Sequence, residues 1–318
     1  MPVWAEATRV ATFNAELYRD GPGLLLRDIL KGEDPQIEAV TDLIASVNPD
    51  IIALQGFDYD LEGRALAAFA DVLAAKGAPY PYRFAAPPNA GRMTDLDLDA
   101  DGKTGAPRDA QGYGRFFGQG AMALLSRYPI AQAEVQDFST FLWRDLPGSL
   151  YPMTGDGPFG GTDVYAIQRL SSHGHWAVPI DHPDLGRLHI LTYHATPPVF
   201  DGPEDRNGRR NHDETAFWRL YLDGTFGPAP KDRFVLMGDA NADPNGGDGL
   251  PDAISALLSD PRLSDPLGPG PTVQWDGVGA LRVDYVLPSA DWRIAASGKT
   301  DPNSAASRHQ LIWVDLSR

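Results

Sequence analysis

Short apolar runs recur along the chain, and most of them end on a polar residue. Arg9-Val10-Ala11-Thr12-Phe13-Asn14 reads as a first strand that closes on Asn14. Asp34-Pro35 then supplies a helix start, with Asp34 as the N-cap and Pro35 at the first helical position. Ile37, Val40, Ile44 and Val47 follow at helical spacing until Asn48-Pro49 stops the helix. Ile51-Ile52-Ala53-Leu54 is a buried strand, after which Gln55-Gly56-Phe57-Asp58-Tyr59-Asp60 leads into a second helix at about 62–76. A helix between two apolar strands predicts a βαβ unit, a class of sheet in which ligands collect at the strand ends.

The pattern continues with strands at Met122–Ser126, His175–Ile180 and Leu188–His194, the last two joined by a hairpin turn at Asp184-Leu185-Gly186. A helix beginning near Asn211 packs Phe217, Leu220 and Tyr221. Phe234-Val235-Leu236-Met237 is a short buried strand, and Gly238 opens a tight exit from it. Asp239 and Asn241 then alternate in extended geometry, which points both side chains into one cleft. Leu281–Leu287 and Leu311–Asp315 form a final pair of strands, with Ser307-Arg308-His309 just ahead of the last. Irregular stretches at about 87–118 and 138–168 read as loop insertions. No repeat or linker divides the chain, which predicts a single domain over residues 1–318.

Composition narrows this picture. The 318 residues are 42% hydrophobic and 22% charged, as in a soluble globular protein. No apolar run approaches the roughly 18 residues that would span a bilayer. Met1–Glu6 shows neither a basic segment nor an apolar run, so no signal peptide is visible. The expectation is a cytoplasmic protein unless an export signal has been removed. Cysteine is absent, which rules out disulfides, thiolate metal sites and cysteine nucleophiles. The formal charge of −16 disfavours a polymeric nucleic acid as partner, because affinity for that backbone rests on Lys and Arg.

Two polar clusters stand outside the strands. Asp97-Leu98-Asp99-Ala100-Asp101-Gly102-Lys103 has the opening of a calcium loop, with oxygens at the first, third and fifth positions and Gly at the sixth. Its last position is Arg108 rather than Glu, with Asp109 adjacent. The candidate set for a structural Ca²⁺ is therefore Asp97, Asp99, Asp101, Lys103 and Asp109, against the simpler reading of a solvated acidic turn. Around Asp201–Asp213, the arginines Arg206, Arg209 and Arg210 either belong to a solvated loop or form a rim that grips an anionic ligand.

The polar strand ends are Asn14, Gln55, His194, Asp239 with Asn241, Asp284, and His309. Together they permit a specific chemistry. Asp284 can accept a hydrogen bond from one ring nitrogen of His309 and favour the imidazolium. Asp239 can orient and deprotonate a water, while Asn14, Asn241 and His194 donate to phosphoryl oxygens. That fits hydrolysis of a phosphate ester by direct attack of water.

The ordered motifs Thr12-Phe13-Asn14, Leu54-Gln55, Leu125-Ser126-Arg127-Tyr128-Pro129-Ile130, Thr192-Tyr193-His194, Gly238-Asp239-Ala240-Asn241, Arg282-Val283-Asp284-Tyr285 and Ser307-Arg308-His309 carry a resemblance. In that order they resemble the endonuclease/exonuclease/phosphatase superfamily, the deoxyribonuclease I-like fold, in a bacterial branch of unassigned substrate. The resemblance implies an α/β fold in which two packed mixed sheets are flanked by helices, a four-layer αββα sandwich. It also implies Mg²⁺ or Mn²⁺, with Asn14, Gln55, Asp58, Asp239 and Asn241 as the metal-site candidates. Asp239 would be the water-orienting base, Asn241 a positioner, and His309 with Asp284 the stabiliser of the pentacovalent transition state. His194 and Asn14 would hold phosphate or leaving group, and Arg169 would be a further substrate contact.

Two positions depart from that pattern. The metal-binding Glu expected after Leu54-Gln55 is Gly56, and the Asp expected between Ser307 and His309 is Arg308. Either Arg308 reaches into the space vacated at Gly56 and supplies the positive charge, or Asp58 or Asp60 swings in as a ligand. A third reading makes those two carboxylates helix caps. The function expected is a phosphodiesterase or phosphatase acting on a small or lipid-linked phosphate ester. A metal-dependent nuclease, and a non-catalytic phosphate-binding protein on the same fold, are the alternatives. Substrate identity and oligomeric state are open.

Overall fold

The central strands are apolar at nearly every position, so each one buries both faces and needs a layer on either side. In the computed structural model, which describes residues 7–317, those layers form as expected. Met1–Glu6, on which the expectation about an export signal rests, lies outside the described residues.

Two main sheets pack face to face. The first has six strands in the order Arg293–Lys299, Ile312–Ser317, Thr8–Leu17, Ile51–Phe57, Ala121–Ser126, Tyr82–Phe84. The second has five, ordered Asp284–Pro288, Phe234–Asp239, Gly186–His194, His175–His182, Gln136–Asp137. Each is mixed: Thr8–Leu17 runs parallel to Ile51–Phe57, and Phe234–Asp239 parallel to Gly186–His194, while the other pairings are antiparallel. Successive side chains divide between layers. Val10, Ile51, Ala53, Val235 and Met237 fill the space between the sheets, whereas Phe13, Ile52 and Leu54 pack outward beneath helices.

Helices Leu24–Lys31, Pro35–Val47 and Arg64–Ala75 cover the first sheet. The Arg206–Leu222 and Asp252–Leu258 helices cover the second, where Phe217, Trp218 and Tyr221 are buried. The architecture is the four-layer αββα sandwich. Asp34 caps its helix as the sequence predicts, accepting from the Gln36 and Ile37 amides at 2.9 and 3.0 Å, and Asn48 ends it in the left-handed region.

Three local expectations are corrected. The helix expected near Asn211 begins at Arg206, so Arg206, Arg209 and Arg210 are helical rather than in a rim loop. Helix propensity in Arg206–Arg210 was masked by the turn residues around it. Gly238 does not open an exit but lies inside the strand, where a Cβ would fall 2.1 Å from the Tyr193 carbonyl oxygen. Glycine is there for close strand approach, not for a turn. The loop at 138–168 also carries a short helix, Gly161–Ile167, and a small strand pair, Met153–Thr154 with Gly157–Pro158.

Candidate active site

Register brings the polar strand ends to one edge of the sandwich. Within the second sheet Asp239 lies between its partners His194 and Asp284. In the first sheet Asn14 pairs with Gln55, and His309 precedes the Ile312–Ser317 strand. Two hydrogen bonds then tie the sheets together at this edge. Asn14 Nδ2 donates to Asp239 Oδ2 at 2.9 Å, and His309 Nδ1 meets Asp284 Oδ2 at 3.0 Å. Above them opens a cleft of about 690 Å³ lined by Asn14, His194, Asn241, His309, Glu16 and Arg308, among others. Asp239 and Asp284 are wholly buried and lie beneath this floor.

Electrostatics pushes the members of this array in different directions. Burial, reinforced by the charge of Asp284, raises Asp239 to about 7. For His309, burial alone favours the neutral ring, but the charge and hydrogen bond of Asp284, with help from Asp239, outweigh it and raise the imidazole to about 9. An acid poised near neutrality thus stands beside a charged imidazolium. His194 is the opposite case. Burial and the neighbouring His173 and His309 hold it well below 6.5, so its ring is neutral. Its Nε2 lies 3.5 Å from Asp239 Oδ2, while its buried Nδ1 has no partner. Asn241 is fixed by two bonds, its amide N–H to Asp239 Oδ1 at 2.8 Å and its Nδ2 to the Ala195 carbonyl at 2.9 Å.

Such an array, with one buried carboxylate near neutrality, one carboxylate-paired imidazolium and fixed amides, can activate water and stabilise a developing phosphorane. The sequence also matches the profile of the Endonuclease/Exonuclease/phosphatase family over residues 11–309. The chain belongs to the endonuclease/exonuclease/phosphatase family. Solved structures with the same fold include an endonuclease/exonuclease/phosphatase from Beutenbergia cavernae (TM-score 0.60, 20% identity, 98% of this chain and 72% of that one). Sphingomyelinase C from Streptomyces griseocarneus matches at TM-score 0.51 and 17% identity, over 98% of this chain and 99% of that one. A mutant beta toxin from Staphylococcus aureus with bound magnesium ions matches at TM-score 0.53 and 15% identity, over 99% and 100%. No curated protein matches by sequence.

This endonuclease/exonuclease/phosphatase chain departs from several of the site expectations. Gln55 is wholly buried between the sheets, where its Oε1 accepts from Thr12 Oγ1 at 3.1 Å; it does not line the cleft. Asp58 is committed to the Arg19 and Gly120 amides at 2.8 and 2.9 Å. Asp60 accepts from Arg64 and Ala65 at the start of their helix, as the capping reading has it. Neither carboxylate swings toward Gly56. The four other arginines proposed as substrate contacts are braces. Arg210 donates to the carbonyls of Leu170, Gln111, Arg169 and Ser171; Arg206 donates to Leu98; Arg209 donates to Glu204; and Arg169 binds Asn89 Oδ1 at 2.8 Å. Loop carbonyls with no sheet partner claimed guanidinium groups that sequence alone left free.

Asp97, Asp99 and Asp109 do converge, with ligating oxygens within 4.8 Å of one another, while the Asp101 carboxylate stays outside that group. The three lie away from the cleft.

The Gly56 corner is built differently from either expectation. Gly56 has φ 68°, and a Cβ there would meet Asn14 Oδ1 at 2.5 Å and the Glu16 amide at 2.9 Å. The vacated space is filled by the Asn14 side chain and the Glu16 backbone. Glu16, at φ 49° in a bulge after Asn14, turns its carboxylate into the corner instead. Its Oε2 accepts from Ser307 Oγ at 3.1 Å and from the Arg308 amide at 2.9 Å. Its Oε1 accepts from Arg308 Nε at 2.8 Å and also from Nη2. Burial would raise this carboxyl, yet Arg308 outweighs burial and lowers it. Ser307 Oγ has one hydrogen and also reaches the Asn14 carbonyl at 2.8 Å, so the firm donors to this carboxylate are the three N–H groups of Arg308. Apart from it the corner offers only the Asn14 amide oxygen. Asp239, Asp284 and His309 converge to within 4.8 Å in the buried layer beneath, where His309 is bonded to Asp284 and Asp239 to Asn14 and Asn241. The corner itself therefore does not fit a hard divalent cation, which needs anionic oxygens free to bind.

Glu16 and His173, which stacks on His194 at 3.9 Å, are the site residues that sequence reasoning missed. Glu16 lies past the strand end that the sequence predicts at Asn14, and it reaches the corner through a bulge that periodicity does not announce. His173 sits in an irregular segment and gave no signal.

Proposed function

We propose that this chain hydrolyses a phosphate ester by direct attack of water, acting on a small or lipid-linked ester in preference to DNA. The observation that carries the reading is the Asp239, His309 and Asp284 array beneath the cleft floor. A water seated among Asn14, Asn241, His194 and His309 is within reach of the Asp239 carboxylate. As its oxygen bonds to phosphorus, Asp239 accepts its proton and the bond to the leaving oxygen breaks. His309, held charged by Asp284, donates a hydrogen bond to the phosphoryl oxygens and keeps its proton. The leaving alkoxide takes a proton from solvent, to which Asp239 later returns its own.

The substrate preference takes nothing from Arg169, Arg206, Arg209 or Arg210, which bond to other parts of the chain. It rests on the net charge of −16 and on the cleft wall, where Phe200 and Val278 stand 75% and 61% exposed beside Asp20, Asp243 and Asp276. Acidic groups repel a polyanion, and the apolar wall suits an ester with a hydrocarbon substituent. Sphingomyelinase C, with the same fold, is named for a lipid substrate.

The test is turnover of bis-p-nitrophenyl phosphate, p-nitrophenyl phosphate, a lysophospholipid and plasmid DNA side by side, with wild type and Asp239→Asn. Removing a general base costs about 10²–10⁴ in kcat, and the small or lipid esters should lead. Plasmid nicking without small-ester turnover overturns the substrate ranking. Equal turnover by Asp239→Asn overturns the base.

A further inference from the structure

We infer that the anion-binding charge of this cleft is the Arg308 guanidinium seated on Glu16, and that the site binds its phosphate group without a divalent cation. The inference rests on the reading of the cleft as a phosphate-ester site and concerns what neutralises the phosphate there.

Three observations carry it. First, the position where the family pattern has a metal-binding carboxylate carries no side chain, and a Cβ there would press on Asn14 Oδ1 at 2.5 Å and on the Glu16 amide at 2.9 Å. Second, the carboxylate that does reach this corner is already paired with Arg308 through both of its oxygens. Glu16 accepts from Ser307 Oγ, from the Arg308 amide, and from Arg308 Nε and Nη2. A cation on Glu16 would also stand against a guanidinium, and two like charges at contact repel strongly. Third, Arg308 is held from two sides, through its backbone and its side chain, and still lines the cleft with its side chain 51% exposed.

The geometry suits a phosphate. Glu16 takes Nε and Nη2, and Tyr18 also hydrogen-bonds the guanidinium; of its five N–H donors, the rest are what a ligand in the cleft would use. Guanidinium is planar, permanently charged and matched to phosphate oxygens. A guanidinium anchored by a carboxylate is already ordered before the ligand arrives, so little rotamer entropy is lost on binding. Asn14 and His309 line the same wall, so a phosphoryl group held by Arg308 stays beside the array that would attack it.

The experiment uses the full chain dialysed against EDTA. Inorganic phosphate, Mg²⁺ and Mn²⁺ are titrated separately by calorimetry, and bis-p-nitrophenyl phosphate turnover is followed in the same buffers. The expected result is phosphate binding of equal strength in EDTA and in millimolar Mg²⁺, no cation-binding heat that Glu16→Gln removes, and EDTA-resistant turnover. Losing charged hydrogen bonds in Arg308→Gln should weaken phosphate by about 10–100-fold, with Arg308→Lys between it and wild type. Phosphate binding that requires a cation overturns the inference, as does cation binding that Glu16→Gln abolishes. Turnover lost in EDTA and restored by Mn²⁺ does the same. If Arg308→Gln fails to fold, the wild-type titrations decide alone. Metal-free phosphate binding without turnover of any ester supports the inference while striking the hydrolase reading, so the two fail separately.

Discussion

Replacing Asp284 by Asn tests the central array most sharply. Asp284 is wholly buried, and its carboxylate is what holds a proton on His309 against a burial effect of opposite sign. Raising an imidazole from 6.5 to about 9 corresponds to about 3 kcal/mol of preference for the charged ring. The amide is close in shape but carries no charge, so His309 should fall to its ordinary value of about 6.5 or below. At pH of about 7.5 the charged fraction then drops from about 97% to about 10% or less, a loss of about tenfold in kcat from protonation alone. The same change relieves Asp239 of a neighbouring negative charge, so its value falls too. In wild type, activity should be lost as pH falls through about 7, where Asp239 protonates, and as it rises through about 9, where His309 deprotonates. In Asp284→Asn both limbs should move to lower pH. The assay is the pH–rate profile of kcat with bis-p-nitrophenyl phosphate, paired with an NMR titration of His309. A variant whose alkaline limb stays at about 9 would falsify the assignment of Asp284 as the group that keeps His309 charged.

Other outcomes follow from single contacts. Gly238→Ala would set a methyl 2.1 Å from the Tyr193 carbonyl oxygen in the centre of the second sheet, and should destabilise by more than about 2 kcal/mol in urea unfolding; an unchanged midpoint would refute the close-approach argument. Arg210→Ala strips donors from four loop carbonyls and should cost about 3 kcal/mol of stability with little change in KM for the folded fraction. A large rise in KM at unchanged stability would return Arg210 to the substrate. Gly56→Glu should lower the melting temperature without creating metal-dependent activity, because the new Cβ meets Asn14 Oδ1 at 2.5 Å. Gained activity in Mn²⁺ would show that the corner can reopen.

Much of this architecture was legible because its causes are local. The apolar runs at Ile51–Leu54 and Phe234–Met237, the Asp34-Pro35 start and the Asn48-Pro49 stop each state their element through periodicity or backbone restriction, and the structure places them there. The strand-end residues Asn14, His194, Asp239, Asp284 and His309 were legible for a related reason. In the sheets Asn14, His194, Asp239 and Asp284 each lie opposite another polar strand-end residue, and His309 sits just ahead of the last strand, so a shared edge follows from strand order. Arginines were not legible. Arg169, Arg206, Arg209 and Arg210 look alike in sequence as cations near a cleft, but Arg206 and Arg210 are taken by carbonyls of loops about a hundred residues away, Arg169 by the Asn89 side chain and Arg209 by the nearby Glu204 carbonyl.

The chain's own residues thus determined the layers, the ends where chemistry gathers, and the loss of two carboxylates at Gly56 and Arg308. Packing decided what that loss means. The bulge at Glu16 brings a carboxylate from the first strand to an arginine almost the whole chain away, and the two satisfy each other before any cation is considered. Period and propensity act over a few residues, whereas charge pairing depends on which side chains the two sheets bring within a few ångströms.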